Sequence, residues 1–404
     1  MDSGGAPPDN ERMSSGSSHL GPLPSVGALP LAEREIASLE CSVAAFAGLA
    51  PAGPLDRAIR FDSFEAFAAA FGDPADTQSG PFMPDAKLAY AVRGFFRNGG
   101  RACWVARVAG EPGTTTVEDH LRIGAGLRLL AELDEPTVIG APDAHAVDTG
   151  VEGARAIQAA LVASCERLVG RIAIVDPPPG IDPGGAIAWR GASHIDSPAA
   201  AAYYPWIQSS DPSGHHAIAI PPCGHVAGLW ARVDDIAGPH HAPTSEALLA
   251  TDGATIGLSG AQQHHLNRAG INCLRAWPGP ELRAWGACTL SSDPELRYLH
   301  RQRIVGHLTA SIAQGTRWAA DHNGDGPLHE SLRATVIAFL DGAWRTGALQ
   351  GDTAAQAYFV HCEARSSIDE KTTDEEITLE IGLAVRRPGD FRVLRISHRP
   401  AVAA

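Results

Sequence analysis

Two aspartates occupy positions at which an α/β protein could carry out catalysis. Asp143 and Asp176 each follow a short apolar run that predicts a buried strand, and His145 and Asp148 lie close to the first of them. Ligands of open α/β sheets bind beyond the carboxyl ends of the parallel strands. These side chains therefore suggest, as one alternative, a hydrolytic or metal-dependent α/β enzyme. The competing interpretation is structural, because aspartate commonly ends a strand and begins a turn beside proline.

Three pairs of adjacent histidines, at residues 215–216, 240–241 and 264–265, raise the question of a metal site. Neighbouring residues point to opposite faces of a strand, or about 100° apart on a helix, so one pair rarely supplies two ligands to the same ion. Residues 321–326 resemble the beginning of a calcium loop, but Leu332 occupies the position that requires a bidentate acid. The seven cysteines include no C-x-x-C pair. We therefore predict no metal, no cofactor and no catalytic residue.

The composition of the 404-residue chain limits its partners. Its formal net charge of −14 argues against a general nucleic-acid-binding surface. The two lysines, Lys87 and Lys371, do not follow glycine, which excludes a G-K-[ST] phosphate loop. No apolar run approaches the roughly 20 residues that span a bilayer. Because the N-terminus lacks the apolar core of a signal peptide, we expect the chain to be made and kept in the cytoplasm without inserting into a membrane.

The elements that would position these groups alternate along the first two thirds of the chain. Four apolar runs predict buried strands, near residues 41–48, 102–108, 137–140 and 171–175. Segments with apolar residues at helical spacing separate them, which predicts βαβ units and a mostly parallel sheet. The first of these helices is expected to begin at Asp62 or Ser63 and to end at Gly72. From Pro177 to about Gly270 the chain is rich in glycine and proline, which predicts loops with one strand near residues 203–207.

The C-terminal third has a different pattern. Helical spacing predicts one helix from Pro294 to about Thr316 and another from Leu328 to Gly342. Two strands with period-two alternation follow, joined by a turn at Gly389. The fold class is thus a mixed, partly parallel α/β body (α+β overall) with a C-terminal domain of helices and an antiparallel hairpin, and with extended terminal arms. We assign residues 1–35 to a flexible N-terminal arm, 36–270 to the body and 271–404 to the C-terminal domain.

Five segments, in order over about residues 36–398, resemble the sheath protein family of contractile phage tails and related contractile injection systems. The first two are residues 42–55 with the helix that carries Phe64, Phe67 and Phe71 and ends at Gly72, and residues 92–100 with the element FF-x-NGG and the strand after it. The others are residues 202–228, residues 266–303, and residues 347–363 with the final hairpin. The resemblance implies a helical sheath around an inner tube, built from subunits that contract together and perform no catalysis. It also implies that the subunits interlock through extended terminal arms, which add strands to a neighbour's C-terminal domain.

The resemblance further implies a set of partners. These are other copies of the chain in a helical homo-oligomer, an inner tube protein, baseplate and cap proteins, and other sheath paralogues. The particle would be assembled in the bacterial cytoplasm as a phage tail, a bacteriocin or an injection system. An alternative within the same family is a paralogue that lies beside the baseplate or cap and does not contract.

Two surfaces follow from this interpretation. An exposed edge strand is an aggregation hazard unless a partner strand pairs with it. In such pairing the donating and receiving surfaces differ, so the contact is heterologous. Heterologous contacts that do not close into a ring generate helical filaments. The predicted sheath–sheath interface consists of Phe391, Val393, Leu394, Ile396, Ile377, Leu379 and Ile381. On the predicted helix from Pro294, Arg297 and Arg301 lie four residues apart, with Arg303 further round. We interpret them as a basic stripe facing the tube, the alternative being arginines that are solvated or paired with carboxylates.

Overall fold

The computed structural model describes residues 34–72, 80–83, 85–108, 117–135, 137–145, 150–210, 217–321, 326–366 and 375–398. The predicted N-terminal arm lies almost entirely outside these residues. Asp148, the histidine pair at 215–216 and the centre of the rejected calcium loop also lie outside them.

Strands and helices alternate through most of the described chain. The strands are β1 (Ala44–Leu49), β2 (Ala58–Phe61), β3 (Cys103–Val108), β4 (Val138–Gly140), β5 (Ile172–Val175), β6 (Ala200–Tyr204), β7 (Ile207–Ser210), β8 (Ala217–Ile220), β9 (Gly253–Ala254), β10 (Ile271–Ala276), β11 (Leu282–Trp285), β12 (Tyr358–Ser366), β13 (Glu375–Leu383) and β14 (Arg392–His398). The helices are α1 (Phe64–Phe71), α2 (Leu88–Arg97), α3 (Val117–Ala131), α4 (Gly150–Glu166), α5 (Pro183–Ala192), α6 (Cys223–Ala237), α7 (Gly260–Arg268), α8 (Leu299–Gly315), α9 (Gly326–Arg345) and α10 (Ala354–Ala357).

The body is built on an eight-stranded sheet in the order β11-β10-β6-β5-β4-β1-β3-β2. Its six inner strands pair in parallel, and β2 and β11 pair antiparallel at the two edges. This arrangement confirms the predicted mixed, partly parallel α/β class. Since β10 and β11 belong to this sheet, the body extends past the predicted boundary at residue 270 and includes Trp285.

Helices cover both faces of this sheet because its inner strands are apolar on both sides. Along β1, Ala44 and Phe46 face a core formed with α2 and α6, whereas Ala45 and Ala47 face a second core formed with α3 and α4. Helix α1 begins at its predicted cap, where the Ser63 hydroxyl accepts a hydrogen bond from the backbone N–H of Ala66 at 3.1 Å.

The prediction of a loop-rich segment between residues 177 and 270 is wrong. This segment contains α5, α6 and α7, and α6 is buried along most of its length. The glycines that suggested loops serve close helix packing instead. A Cβ atom at Gly224 would overlap the carbonyl oxygen of Ala91 in α2, and one at Gly228 would overlap that of Phe95.

The C-terminal domain packs α8 and α9 on one face of a three-stranded sheet with the order β12-β13-β14. Helix α8 begins at Leu299 rather than at the predicted Pro294. The reason lies in the preceding residues, which are bonded back to the end of the body: Tyr298 bridges to Cys288, and the N–H of Thr289 donates to the carbonyl of Arg297 at 2.7 Å.

The first described residues run along α8 before the chain enters β1. Ile36 is buried against Gly315, the N–H of Leu39 donates to the Ser311 hydroxyl at 3.1 Å, and Ser38 Oγ lies 2.9 Å from His307 Nε2. The segment therefore ties the beginning of the body to the C-terminal domain.

Candidate assembly interface

The face of the C-terminal sheet that packs against the helices is fully occupied within the subunit. Ile377, Leu379 and Ile381 in β13 are 0% exposed and contact residues of α8 and α9. Ile396 in β14 is also buried, and Leu394 is partly buried against the same core. The period-two pattern correctly predicts the strands. Their assignment to an interface is wrong for Ile377, Leu379 and Ile381, because this alternating face is the core of the domain.

The opposite face of the sheet carries the exposed apolar groups. Phe359, Gly382 and Val393 stand in one cross-strand row, and the Phe359 ring lies over Gly382, where a Cβ atom would overlap it. The ring of Phe391 contacts that of Phe359 edge-on, with 5.1 Å between their centroids. Val393 is 48% exposed. Phe391 and Val393 thus lie on an accessible surface, as an interface requires.

The hydrogen-bond pattern identifies which backbone groups of β14 point away from the sheet. The N–H of Ala384 donates to the carbonyl of Ala357 across the start of the β12–β13 ladder. Because bonded residues alternate along an antiparallel pair, Leu383 and every second residue before it in β13 point their backbone groups toward β14. With Leu383 paired to Arg392, the intervening residues Val393, Arg395 and Ser397 direct their N–H and C=O groups to the outer edge.

The two edges of this sheet differ in how they are covered. At the β12 edge, the Arg333 side chain of α9 donates to the carbonyl of Val360 at 3.2 Å. At the β14 edge, within the part of the chain that the structure describes, no strand pairs with Val393, Arg395 or Ser397 from outside the sheet. The β14 edge is therefore open to strand addition.

The predicted basic stripe is not formed. Arg297 lies before α8, where its guanidinium donates to the carbonyls of Asn267 at 2.6 Å and Arg268 at 3.1 Å. It therefore ties the end of α7 to the strand connection. Arg301 is half-buried on α8, and its guanidinium lies 4.6 Å from the centroid of the Tyr298 ring. Arg297 is half-buried as well, but its guanidinium is held by these two carbonyls, so Arg301 is the arginine better placed to reach a partner.

Arg303 makes a buried ion pair instead of facing outward. Its guanidinium donates through two nitrogens to the two carboxylate oxygens of Asp234 in α6, and the two side chains are 5% and 2% exposed. The same guanidinium lies 4.9 Å from the centroid of the Trp230 ring, and Ser42 Oγ donates to Asp234 at 2.8 Å. This pair joins the body to the C-terminal domain. Spacing on α8 did not reveal it, because the acidic partner is 69 residues away in sequence.

Asp143 is a structural residue at the end of the parallel sheet. Its carboxylate accepts the backbone N–H groups of Leu49, at 2.7 Å, and of Lys87, which fixes the loop after β1 to the start of α2. Burial raises its pKa to about 6, although these hydrogen bonds act in the opposite direction. A Cβ atom at Gly48 would overlap this carboxylate. The side chain is 0% exposed, so it does not offer a carboxylate to a substrate.

Asp176 and His145 also lie in the interior. Burial raises the pKa of Asp176 to about 7, and Cys223 hydrogen-bonds to its side chain. His145 Nε2 lies 2.8 Å from the Asp176 carbonyl oxygen, which also accepts from Gln158 at 2.7 Å. Burial lowers the pKa of His145. The histidine therefore contacts the backbone of Asp176 and not its carboxylate, and the two do not form an acid–base pair.

The described residues bear on two other sequence predictions, a metal site and a membrane span. Among these residues, no group of three or more histidine, cysteine, aspartate or glutamate side chains could hold a metal ion. In the two described histidine pairs the rings lie near each other, with centroids 4.3 Å apart at residues 240–241 and 6.1 Å apart at residues 264–265. No helix in the described part of the chain has the length and apolar character to cross a bilayer.

Comparison with known proteins identifies the architecture. Residues 113–290 match the family model of the phage tail sheath protein central domain. The anti-feeding prophage helical sheath in the contracted state is similar, with a TM-score of 0.72, 23% identity, and coverage of 94% of this chain and 98% of that one. The sheath complex of the extracellular contractile injection system PVC, also in the contracted state, is similar with a TM-score of 0.70, 24% identity and the same coverage of both chains. The sheath tail protein of Listeria innocua is similar with a TM-score of 0.63 and 11% identity, and the match covers 92% of this chain and 97% of that one. A search of curated proteins found no match.

Proposed function

Because residues 113–290 match the model of the phage tail sheath protein central domain, we propose that this chain is a sheath protein, a subunit of a contractile sheath that polymerises helically around an inner tube and drives the tube into a target. The observation that carries the proposal is the open β14 edge, whose outward N–H and C=O groups are those of Val393, Arg395 and Ser397. A strand from a neighbouring subunit would pair with them. Because the donating and receiving surfaces differ, such contacts build an open helix of subunits.

The subunit is also suited to move as one unit during contraction. The buried pair between Arg303 and Asp234 and the contact of Ile36 with α8 hold the body and the C-terminal domain together. Rearrangement would then take place between subunits, as rigid bodies that rotate about strand connections. The free energy for contraction would be stored when the sheath assembles, and the subunit would need no nucleotide.

An inner tube protein and the baseplate and cap are the remaining partners of the proposal. Arg301 is half-buried on α8 and is the arginine of the original three that is best placed to contact an acidic tube. One exposed ion pair contributes roughly 0.2–1 kcal/mol. Many such pairs along a sheath would hold the tube in register, and each would break readily when the sheath contracts.

A proline substitution at the edge tests the proposal directly. Val393→Pro removes an outward N–H and none of the bonds between β14 and β13, so we expect a folded subunit. One carbonyl of the strand added by a neighbour would then lack its hydrogen-bond donor, which weakens each contact between subunits by about 1–3 kcal/mol. We expect the protein concentration needed for polymerisation to rise about 5- to 150-fold, measured by sedimentation and negative-stain microscopy.

Two matched variants separate assembly from folding. Val393→Ala keeps the N–H and should polymerise like the unaltered chain. Leu394→Pro removes an N–H that bonds to β13 and should lower the thermal unfolding midpoint. Striated tubes formed by Val393→Pro at the unaltered concentration would refute strand addition at this edge. A chain that stays monomeric under all conditions would count against the sheath function itself.

A further inference from the structure

A large groove runs along helix α9, beside the segment that leads into β1. It has a volume of about 1660 Å³, and the exposed small residues Ala334, Ala338 and Gly342 of α9 form part of one wall. Ile304 and Leu308 of α8 also line it. Pockets for small molecules have volumes of roughly 300–1,000 Å³. The groove is therefore large enough for part of another protein.

The lining of the groove combines apolar groups with negative charge. Ile236, just before the end of α6, is 78% exposed, the highest value among the exposed large apolar side chains of the described chain. Glu35 and Glu330 line the groove as well and are exposed, and within the part of the chain that the structure describes neither forms an ion pair. The nearby guanidinium of Arg34 lies 4.4 Å from the centroid of the Trp318 ring. Two carboxylates are thus available to a cationic partner.

An exposed tryptophan stands at the turn between β10 and β11. Trp277 is 51% exposed, and Pro278 and Pro280 follow it. Its ring contacts that of Trp285 edge-on, with 5.6 Å between centroids, and the Arg275 guanidinium lies 5.5 Å from its centroid. Because these contacts hold the ring in place, it has little freedom to lose on binding. Tryptophan and arginine are also enriched among the residues that dominate binding energy at interfaces. We call Trp277 and Arg275 the knob.

The knob and the groove lie at opposite ends of the parallel strands. Strands β1, β4, β5, β6 and β10 run in the same direction. Trp277 directly follows β10, at the carboxyl end, whereas Ser38 and Cys41 of the groove precede β1, at the amino end. A six-residue strand is about 20 Å long, and the four strand spacings from β10 to β1 add about 19 Å sideways. The knob therefore cannot reach the groove of its own subunit.

We propose that the knob of one subunit binds in the groove of a second copy of the chain. The Trp277 ring would lie over the small residues of α9, where no large side chain blocks it. The charges are complementary, because Arg275 hydrogen-bonds to the neutral side chain of Gln263, at 2.9 Å, and so brings a positive charge toward Glu35 and Glu330.

This contact would be heterologous, since knob and groove are different surfaces at opposite ends of the sheet. Repeated from copy to copy, such a contact extends an assembly head to tail. It is small: the exposed half of the Trp277 side chain offers about 100 Å², whereas a stable interface buries roughly 1,200–2,000 Å² in total. The knob alone would therefore leave free subunits monomeric and would act together with other contacts. The inference goes beyond the proposed function, which requires only the β14 edge.

Photo-crosslinking of the full chain tests the proposal. Trp277→benzoylphenylalanine places a photoreactive group on the knob. Leu55→benzoylphenylalanine is the matched control, because Leu55 is 49% exposed and precedes β2 at the same end of the sheet. Trypsin cleaves after Arg333 and Arg345 and releases the α9 wall as residues 334–345. In mixtures of isotopically labelled and unlabelled chains, we expect at least fivefold more crosslinks between copies to this peptide from position 277 than from position 55.

Two sets of variants test the contact itself. Ala338→Trp fills the groove and should reduce the crosslink at least tenfold, whereas Ala160→Trp, at an exposed site on α4, should leave it unchanged. Arg275→Glu should reduce the crosslink at least fivefold, and adding Glu35→Arg and Glu330→Arg to the same chain should restore it. A crosslink that survives Ala338→Trp, or a charge exchange without recovery, would overturn the proposal.

The experiment is run on assembled chains and on the Val393→Pro chain, kept soluble at about 1 mM so that weak contacts are populated. Tubes without crosslinks between copies to residues 334–345 would overturn the knob contact and leave strand addition at β14 intact. Crosslinks between soluble copies of a chain that never forms tubes would support the knob contact and count against the sheath function. Equal yields from positions 277 and 55, or crosslinks within one copy only, would overturn the proposal.

Discussion

Replacing Arg303 by an uncharged residue should lower the free energy of unfolding more than replacing Arg301, the other arginine of α8. The bidentate pair with Asp234 is 5% and 2% exposed, so Arg303→Met leaves a buried carboxylate without its counter-ion. Such a loss costs about 3–5 kcal/mol, whereas an exposed pair would cost less than about 1 kcal/mol. We expect the free energy of unfolding in urea, followed by circular dichroism, to fall by this larger amount.

The double variant separates the ion pair from the packing. Arg303→Met with Asp234→Leu replaces both charges by apolar groups of similar volume, and such replacements are often neutral or stabilising. We expect it to recover most of the stability that the single variant loses. Arg301→Met is the control on the same helix, because its cation–π contact with Tyr298 contributes only about 0.5–1 kcal/mol. A loss under 1 kcal/mol for Arg303→Met, or a double variant as unstable as the single one, would refute the reasoning.

Four further substitutions give distinct readouts. Because burial raises the pKa of Asp176 to about 7, the folded chain keeps a proton that the unfolded chain loses above about pH 4, and stability falls as the pH rises through this window. Asp176→Asn should therefore raise the thermal unfolding midpoint at pH 8 and leave it nearly unchanged at pH 4; equal effects at both would contradict this assignment. Gly306→Ala would place a Cβ atom against Gly170 and should cost about 1–3 kcal/mol in urea. Gly342→Ala meets no neighbour and should be neutral or stabilising, so similar losses for both would show that the Gly306 contact is unimportant. Arg301→Glu, co-expressed with the tube protein, should give sheaths that polymerise but lack a tube, and tube-filled extended particles in normal numbers would exclude it as the contact.

The sequence predicts those elements whose pattern depends on their own residues. Alternation identified β13, because every second side chain from Ile377 to Leu383 is buried on the face toward the helices. The cap at Ser63 was predictable since it needs only a hydroxyl three residues before a free N–H. Asp143 was found at a strand end, but the sequence could not distinguish a catalytic carboxylate from one that accepts the N–H groups of Leu49 and Lys87.

The remaining features depend on contacts between distant segments. Helix α6 has the glycines of a loop because Gly224 and Gly228 lie against the backbone of α2. Arg303 was interpreted as exposed because a charged residue is rarely buried, and only its partner Asp234 explains the exception. The predicted interface included both faces of the C-terminal strands, but only the outer face and the edge of β14 are accessible. Alternation alone cannot show which face is the inner one, because this depends on where α8 and α9 pack.

The segment that leads into β1 has a consequence for synthesis on the ribosome. Ser38 and Leu39 contact α8 across sequence separations of 269 and 272 residues. At roughly 5–20 residues per second, translation takes about 15–50 s to cover that distance. The N-terminal end of the body thus waits for its partner helix while the sheet beside it is already complete. Since β14 is translated later still, the edge to which we propose that a neighbour's strand adds forms only after the rest of the subunit can close.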